Sequence, residues 1–137
     1  MIEDAHEELV IDDENDIVVV RKTVRNAAVK LNFGLTDVTR IVTAASELAR
    51  NVFIYAGSGV MKWRTLEASG VTGLELTFED HGPGISDLEQ AMQRGYSTSG
   101  GLGLGMKGVQ RLMDEMEVKS QIGEGTTVVV KKWCRRY

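Results

Sequence analysis

The spacing of apolar residues changes several times along this 137-residue chain, and each change marks an element. Glu8-Leu9-Val10-Ile11-Asp12 predicts a short first strand, ended by the acidic turn Asp12-Asp13-Glu14-Asn15. Ile17, Val20, Val24, Ala27, Ala28 and Leu31 then recur at the three- and four-residue steps of one helical face, and Gly34 suits a C-terminal stop. Thr36 or Asp37 can cap a second helix with the face Val38, Ile41, Val42, Ala45, Leu48, Ala49 and Val52, ending near Tyr55-Ala56-Gly57. Val60–Glu67 and Leu74–Glu79 read as a hairpin turned by Ser69-Gly70-Val71-Thr72-Gly73.

Ser86-Asp87 can cap a short helix through Met92, whereas residues 94–105 lack periodicity and carry the Gly and Ser of a loop. Met106–Glu117 predicts a last helix with Val109, Leu112, Met113 and Met116 on one side. Val118–Gln121 and Thr126–Trp133 predict a closing hairpin around Ile122-Gly123-Glu124-Gly125. Strands and helices come in groups, which favours a two-layer α/β sandwich with a mixed, largely antiparallel sheet over a parallel Rossmann sheet. The length fits one domain over residues 1–137.

Composition excludes several function classes. A net charge of −4 argues against a nucleic-acid binder that neutralises phosphates. Lys131, Lys132, Arg135 and Arg136 form a small basic cluster, read as a solvated chain end. Cys134 is the single cysteine, so no intramolecular disulfide exists, and with only two histidines no Cys/His zinc cage can form. No apolar run approaches the ~18 residues of a membrane span. The acidic N-terminus is unlike a signal peptide, so a cytoplasmic protein without a membrane partner is expected.

Glycine is unevenly spread: fourteen of the fifteen lie after residue 56, eight of them within 82–108. Such a segment needs backbone freedom or close approach to a ligand. Gly101-x-Gly103-x-Gly105, ahead of a helix, offers backbone N–H groups and a positive helix end to phosphates. It also suits a plain surface connection. No strand precedes it directly and no Gly-x-x-x-x-Gly-Lys-Ser/Thr occurs, so neither a Rossmann fingerprint nor a P-loop is present.

Glu47 and Asn51, at i and i+4, stack on one helix face while Leu48, Ala49 and Val52 point to the core. The pair suits a polar stripe, or a carboxylate base beside an amide ligand for Mg²⁺. Asp80 in Asp80-His81-Gly82-Pro83-Gly84 suits an Asp-x-Gly turn, or a carboxylate that accepts a hydrogen bond from an exocyclic amino group such as adenine N6. His81 and His6 read as solvated, Met92, Met106, Met113 and Met116 as core, and Trp63 and Trp133 as packed on the sheet.

In this order and spacing, these stretches resemble the GHKL ATPase superfamily of gyrase, Hsp90-type chaperones, histidine kinases and MutL. Glu47-x-x-x-Asn51 is similar to its N-box, Asp80-x-Gly82-x-Gly84 and Gly101-x-Gly103-x-Gly105 to its two glycine boxes, and Gly125-Thr126 to its late Gly-Thr. Ser46–Asn51, Gly95–Gly103 and Arg111–Glu115 further resemble the serine/threonine switch kinases of the bacterial stressosome, in the anti-sigma-factor kinase group. The likeness runs from about residue 10 to Trp133.

It implies a Bergerat fold, ATP with Mg²⁺, Glu47 as general base and Asn51 as Mg²⁺ ligand. It further implies Asp80 as the adenine reader, and Gly82, Gly84, Gly101, Gly103, Gly105 and Thr126 around the nucleotide. Lys107 is a candidate phosphate contact, and Arg50 a candidate for positioning a partner or for a structural ion pair. Implied substrates are Ser or Thr hydroxyls of STAS-domain scaffold and antagonist proteins, and the implied second role is activation of a downstream output protein such as a metal-dependent phosphatase. Residues 85–100 would form a short lid with Arg94 as its only cation. Without room for a phosphoacceptor-His domain upstream or a coupling domain downstream, a free-standing kinase is expected. The rival reading is a nucleotide-dependent sequestering switch with vestigial kinase activity.

Overall fold

The computed structural model describes residues 7–82 and 105–135. The elements are β1 (Glu7–Ile11), α1 (Glu14–Lys30), α2 (Leu35–Asn51), a π-helical turn (Val52–Ala56), β2 (Gly59–Ala68), β3 (Val71–Asp80), α3 (Gly105–Leu112), β4 (Glu115–Gln121) and β5 (Gly125–Cys134). The sheet order is β1-β2-β3-β5-β4, and all four pairings are antiparallel. The helices form a second layer in which α2 packs against both α1 and α3. The two-layer sandwich is therefore the expected one, with an antiparallel sheet among the described residues.

Alternation sets the faces of the sheet. Leu74, Leu76 and Phe78 on β3, Met61 on β2 and Val128 and Val130 on β5 point to the helices and join the buried faces of α1 (Val20, Val24, Ala28) and α2 (Ile41, Ala45, Leu48) in one core. Met106 and Met113 lie in that core, Met116 packs at its margin, and Met92 lies outside the described residues. The opposite face carries ion pairs. Arg64 donates to Glu75 at 2.9 Å, Lys131 lies 3.8 Å from the same carboxylate, and Lys62 lies 3.2 Å from Glu79. Trp133 lies across Gly73, where a Cβ would meet its ring, and its indole N–H donates to Glu115 at 2.6 Å.

α1 begins with a capping box: Asp13 accepts from the Asn15 N–H, and Asp16 accepts from the N–H groups of Asp12 and Asp13. It stops at Leu31 because Asn32 turns left-handed, with φ 66°. Gly34, expected as that stop, is instead the extended N-cap of α2, which starts before the expected caps Thr36 and Asp37. The β2–β3 turn is only Ser69-Gly70, both with positive φ, the two-residue geometry that matches strand twist.

The expected last helix is shorter than its pattern. α3 ends at Leu112, and residues 115–117 belong to β4. Three contacts terminate it: the Asp114 N–H donates to the Lys131 carbonyl, the Asp114 carboxylate accepts from the Trp133 N–H, and the Lys132 ammonium donates to the Leu112 carbonyl. Lys132 is accordingly 7% exposed and not part of a solvated end, while Lys131 is half-buried and Arg135 is exposed. The expected helix through Met92, the lid with Arg94, His6 and Arg136 lie outside the described residues.

Candidate functional site

The C-terminal end of α2 meets the sheet where β3 ends. Leu48, Ala49 and Val52 are buried and fix the helix, which leaves Glu47 and Asn51 half-buried one turn apart. Among the described residues neither side chain has a hydrogen-bond or ion-pair partner. Directly after Asn51 the backbone widens into the π turn, a local geometry that recurs at functional sites. Gly57, at φ 81°, closes it by donating to the Phe53 carbonyl.

That turn carries α2 onto the Asp80 loop. A Cβ on Gly59 would meet Val52 Cγ1 at 2.6 Å and Asp80 Cβ at 3.3 Å, and one on Gly82 would meet Ala56 Cβ at 2.6 Å. Glycine at 59 and 82 therefore lets the Asn51 helix and the Asp80 turn close on each other.

Asp80 sits on the helix-facing side of β3, in step with Leu74, Leu76 and Phe78. Its Oδ1 accepts two backbone N–H groups, from Gly82 at 2.9 Å and from Thr126 at 3.3 Å. The first is an Asx turn made by the sequence itself. Oδ1 is thereby committed, while Oδ2 takes no hydrogen bond among the described residues. Gly125 makes the arrangement possible: at φ 124° it leaves no space for a side chain against the Asp80 carbonyl and His81 Cα.

Thr126 meets Asp80 through its backbone N–H. The hydroxyl lies 2.8 Å from that of Ser120, a residue that the sequence pattern did not single out. The signal for Ser120 is in the hairpin register: Gln121 pairs with Gly125, so Ser120 stands opposite Thr126.

Gly105, buried at φ 70°, starts α3, and Lys107 is half-buried in its first turn without an ion pair among the described residues. Arg50 is exposed and likewise has no ion pair among the described residues. His81 is exposed. Gly84, Gly101 and Gly103 lie outside the described residues. A groove of about 650 Å³ between α1 and β2, bordered by Asn26, Lys30 and Trp63, contains none of the assigned residues.

The donor set suits a nucleotide. An acceptor-only carboxylate oxygen can take an amino group, glycine-tight turns let a flat base approach the backbone, and an amide oxygen without a partner among the described residues suits Mg²⁺, which commonly keeps waters and phosphates as its other ligands.

Known proteins resemble the chain over most of its length. The family described as histidine kinase-, DNA gyrase B- and HSP90-like ATPases matches residues 36–135. The serine/threonine-protein kinase RsbT of Bacillus subtilis (strain 168) is 50% identical over 122 residues, covering 89% of this chain and 92% of that protein. An anti-sigma F factor of Geobacillus sp. (strain WCH70) is 32% identical over 123 residues, covering 85% and 83%. The solved RsbU and RsbW domains of Rv1364c from Mycobacterium tuberculosis superpose with a TM-score of 0.66 at 18% identity, over 97% of this chain and 34% of that longer one.

Proposed function

This chain belongs to the family of histidine kinase-, DNA gyrase B- and HSP90-like ATPases, and from that membership we propose how its own residues use ATP to phosphorylate a protein. The enzyme is an ATP-dependent serine/threonine-protein kinase. Asp80 Oδ2 accepts the adenine amino group while the Gly82 and Thr126 amides hold Oδ1. Gly82 and Gly105, with Gly84, Gly101 and Gly103, line the nucleotide, and Lys107 faces its phosphates. Asn51 contributes the protein's oxygen to Mg²⁺, which when bound spreads the negative charge of the phosphates.

Glu47, one turn from Asn51, is the base. The partner's Ser or Thr oxygen attacks the γ-phosphorus, its proton passes to the Glu47 carboxylate, the bond to the β-phosphate bridging oxygen breaks, and ADP leaves. The observation that carries this reading is the half-buried Glu47–Asn51 pair, without partners among the described residues and held by the π turn against the Asp80 loop.

The substrates are STAS-domain scaffold and antagonist proteins of a stressosome. The kinase acts in the cytoplasm as one domain over residues 1–137, and in partner switching it also binds a downstream output protein such as a metal-dependent phosphatase. Similarity to a serine/threonine-protein kinase and to anti-sigma F factors supports this circuit. Among the described residues no helix is long and apolar enough to cross a membrane.

Transfer of γ-³²P from ATP to a STAS-domain partner tests the assignment. Glu47→Ala should bind ATP normally and lose transfer by at least about a hundredfold, the lower end of the range for a general base. Asn51→Ala should lose transfer and bind Mg-ATP more weakly. Normal turnover in Glu47→Ala would discard the base, and partner capture without labelling by the wild-type protein would favour the sequestering switch.

A further inference from the structure

Residues directly opposite one another in neighbouring strands share a face of the sheet. Asp80 pairs with Thr126 and Thr126 with Ser120, so the three form a polar row across β3, β5 and β4 on the helix-covered face. Asp80 and Thr126 already have roles in the base site, and Ser120 is the third member. Its hydroxyl lies 2.8 Å from the Thr126 hydroxyl and donates to the Gly125 carbonyl at 3.3 Å. We propose that Ser120 is a specificity-determining positioning residue: it orients the Thr126 hydroxyl so that the site separates adenine from 6-oxopurines. The proposal rests on the reading of Asp80 as the acceptor for the base amino group.

The argument follows from hydrogen-bond polarity. Adenine presents a donor, its 6-amino group, beside an acceptor, N1. Guanine and hypoxanthine present the reverse, a 6-oxo acceptor beside an N1–H donor. Asp80 is an acceptor only, which fixes the first half of the code, whereas a threonine hydroxyl can donate or accept by rotating. Ser120 has one proton, and both Thr126 Oγ1 and the Gly125 carbonyl are acceptors within its reach. Given to Thr126 Oγ1, the closer of the two, it directs the Thr126 proton away from Ser120 and toward the base, where only an acceptor is welcome. The Gly125 carbonyl offers the Ser120 proton a resting place when the base is gone. Thr126 thus becomes a donor without leaving its own oxygen unpaired, and a 6-oxopurine meets a mismatch at both positions.

Calorimetric titration of the full chain with Mg-ATP and with Mg-ITP, whose base differs from adenine only in that 6-oxo/N1–H edge, tests this. Ser120→Ala should weaken ATP about five- to tenfold and leave ITP within about twofold, so the ATP:ITP preference narrows. Ser120→Thr, which restores a hydroxyl, should recover the preference. If Ser120→Ala does not fold, Ser120→Cys, near in volume but a weak donor, should show the same narrowing. An equal loss for both nucleotides, or an unchanged preference, would overturn the proposal and leave Ser120 as a packing residue. Failure of the underlying reading has a separate signature: Asp80→Asn would then bind ATP like the wild type.

Discussion

At Asp80 the two carboxylate oxygens have different surroundings. Oδ1 is consumed by the Gly82 and Thr126 amides, so the side chain can turn neither to solvent nor to a competing donor. Asp80→Asn keeps that anchor by its carbonyl oxygen but turns a donor toward the base, donor against donor. ATP affinity should fall about a hundredfold, or about 2.7 kcal/mol, by calorimetry. Gly82 tests the closure of the site in another way. Gly82→Ala would place a methyl group against Ala56 and push the turn off α2, lowering ATP affinity about tenfold. Ala56→Gly added to it removes the nearest collision, with Ala56 Cβ, but leaves the Ala56 Cα at 2.9 Å, so it should restore part of that binding; no recovery would show that the loss arises elsewhere.

These residues were unequally legible. Asp80, Gly82 and the Glu47–Asn51 pair could be read because each combines a functional group with a fixed spacing on a turn or helix. Ser120 could not, because a lone serine in an alternating strand has no pattern until its cross-strand partner is known. The Thr126 contact was legible as a location but not as an atom: main-chain and hydroxyl donors of one residue look alike in sequence.

Among the elements, α1 is the one whose start is written most plainly in the chain. Asp13 and Asp16 occupy the cap and its third position, and Asp13→Ala should lower stability by about 1 kcal/mol in urea unfolding. The cap also has an acid limit. The Asp12 N–H, with further help from the Asp12 side chain and the Asp13 N–H, holds the Asp16 carboxyl below its ordinary value, while the hydrogen bond to Asp16 raises that of Asp12. The Asp16 contribution is complete above the usual carboxylate range and is lost as pH falls through its depressed value. Asp16→Asn should flatten that part of the acid-unfolding curve. The end of α3 was misread for a physical reason. Met113 and Met116 sit three apart, as on a helix, yet Met116, Val118 and Ser120 also alternate as in a strand. Pairing with β5 decides between the two periods, and nothing local does.

In the whole molecule, Lys132 ties the two layers together. From β5 its ammonium donates to the Leu112 carbonyl and lies 3.8 Å from Asp37 of α2 and 3.6 Å from Asp114. Lys132→Met would leave the C-terminal carbonyl of α3 and the Asp114 carboxylate without their cation, while Asp37 keeps Arg40 at 2.9 Å. The expected loss is roughly 2–3 kcal/mol in chemical denaturation, below the cost of breaking a fully buried pair because Asp37 and Asp114 are partly exposed. A change under 0.5 kcal/mol would make the contact incidental.

Asp80 and the Thr126 amide that holds it are 46 positions apart in the chain and adjacent only through the β3–β5 seam. Neither half of the polypeptide owns the purine cradle. Occupancy by nucleotide should therefore behave as a clasp on that seam: amide hydrogens of β3 and β5 exchange more slowly when the cradle is filled, while those of the outlying β1 keep their own pace.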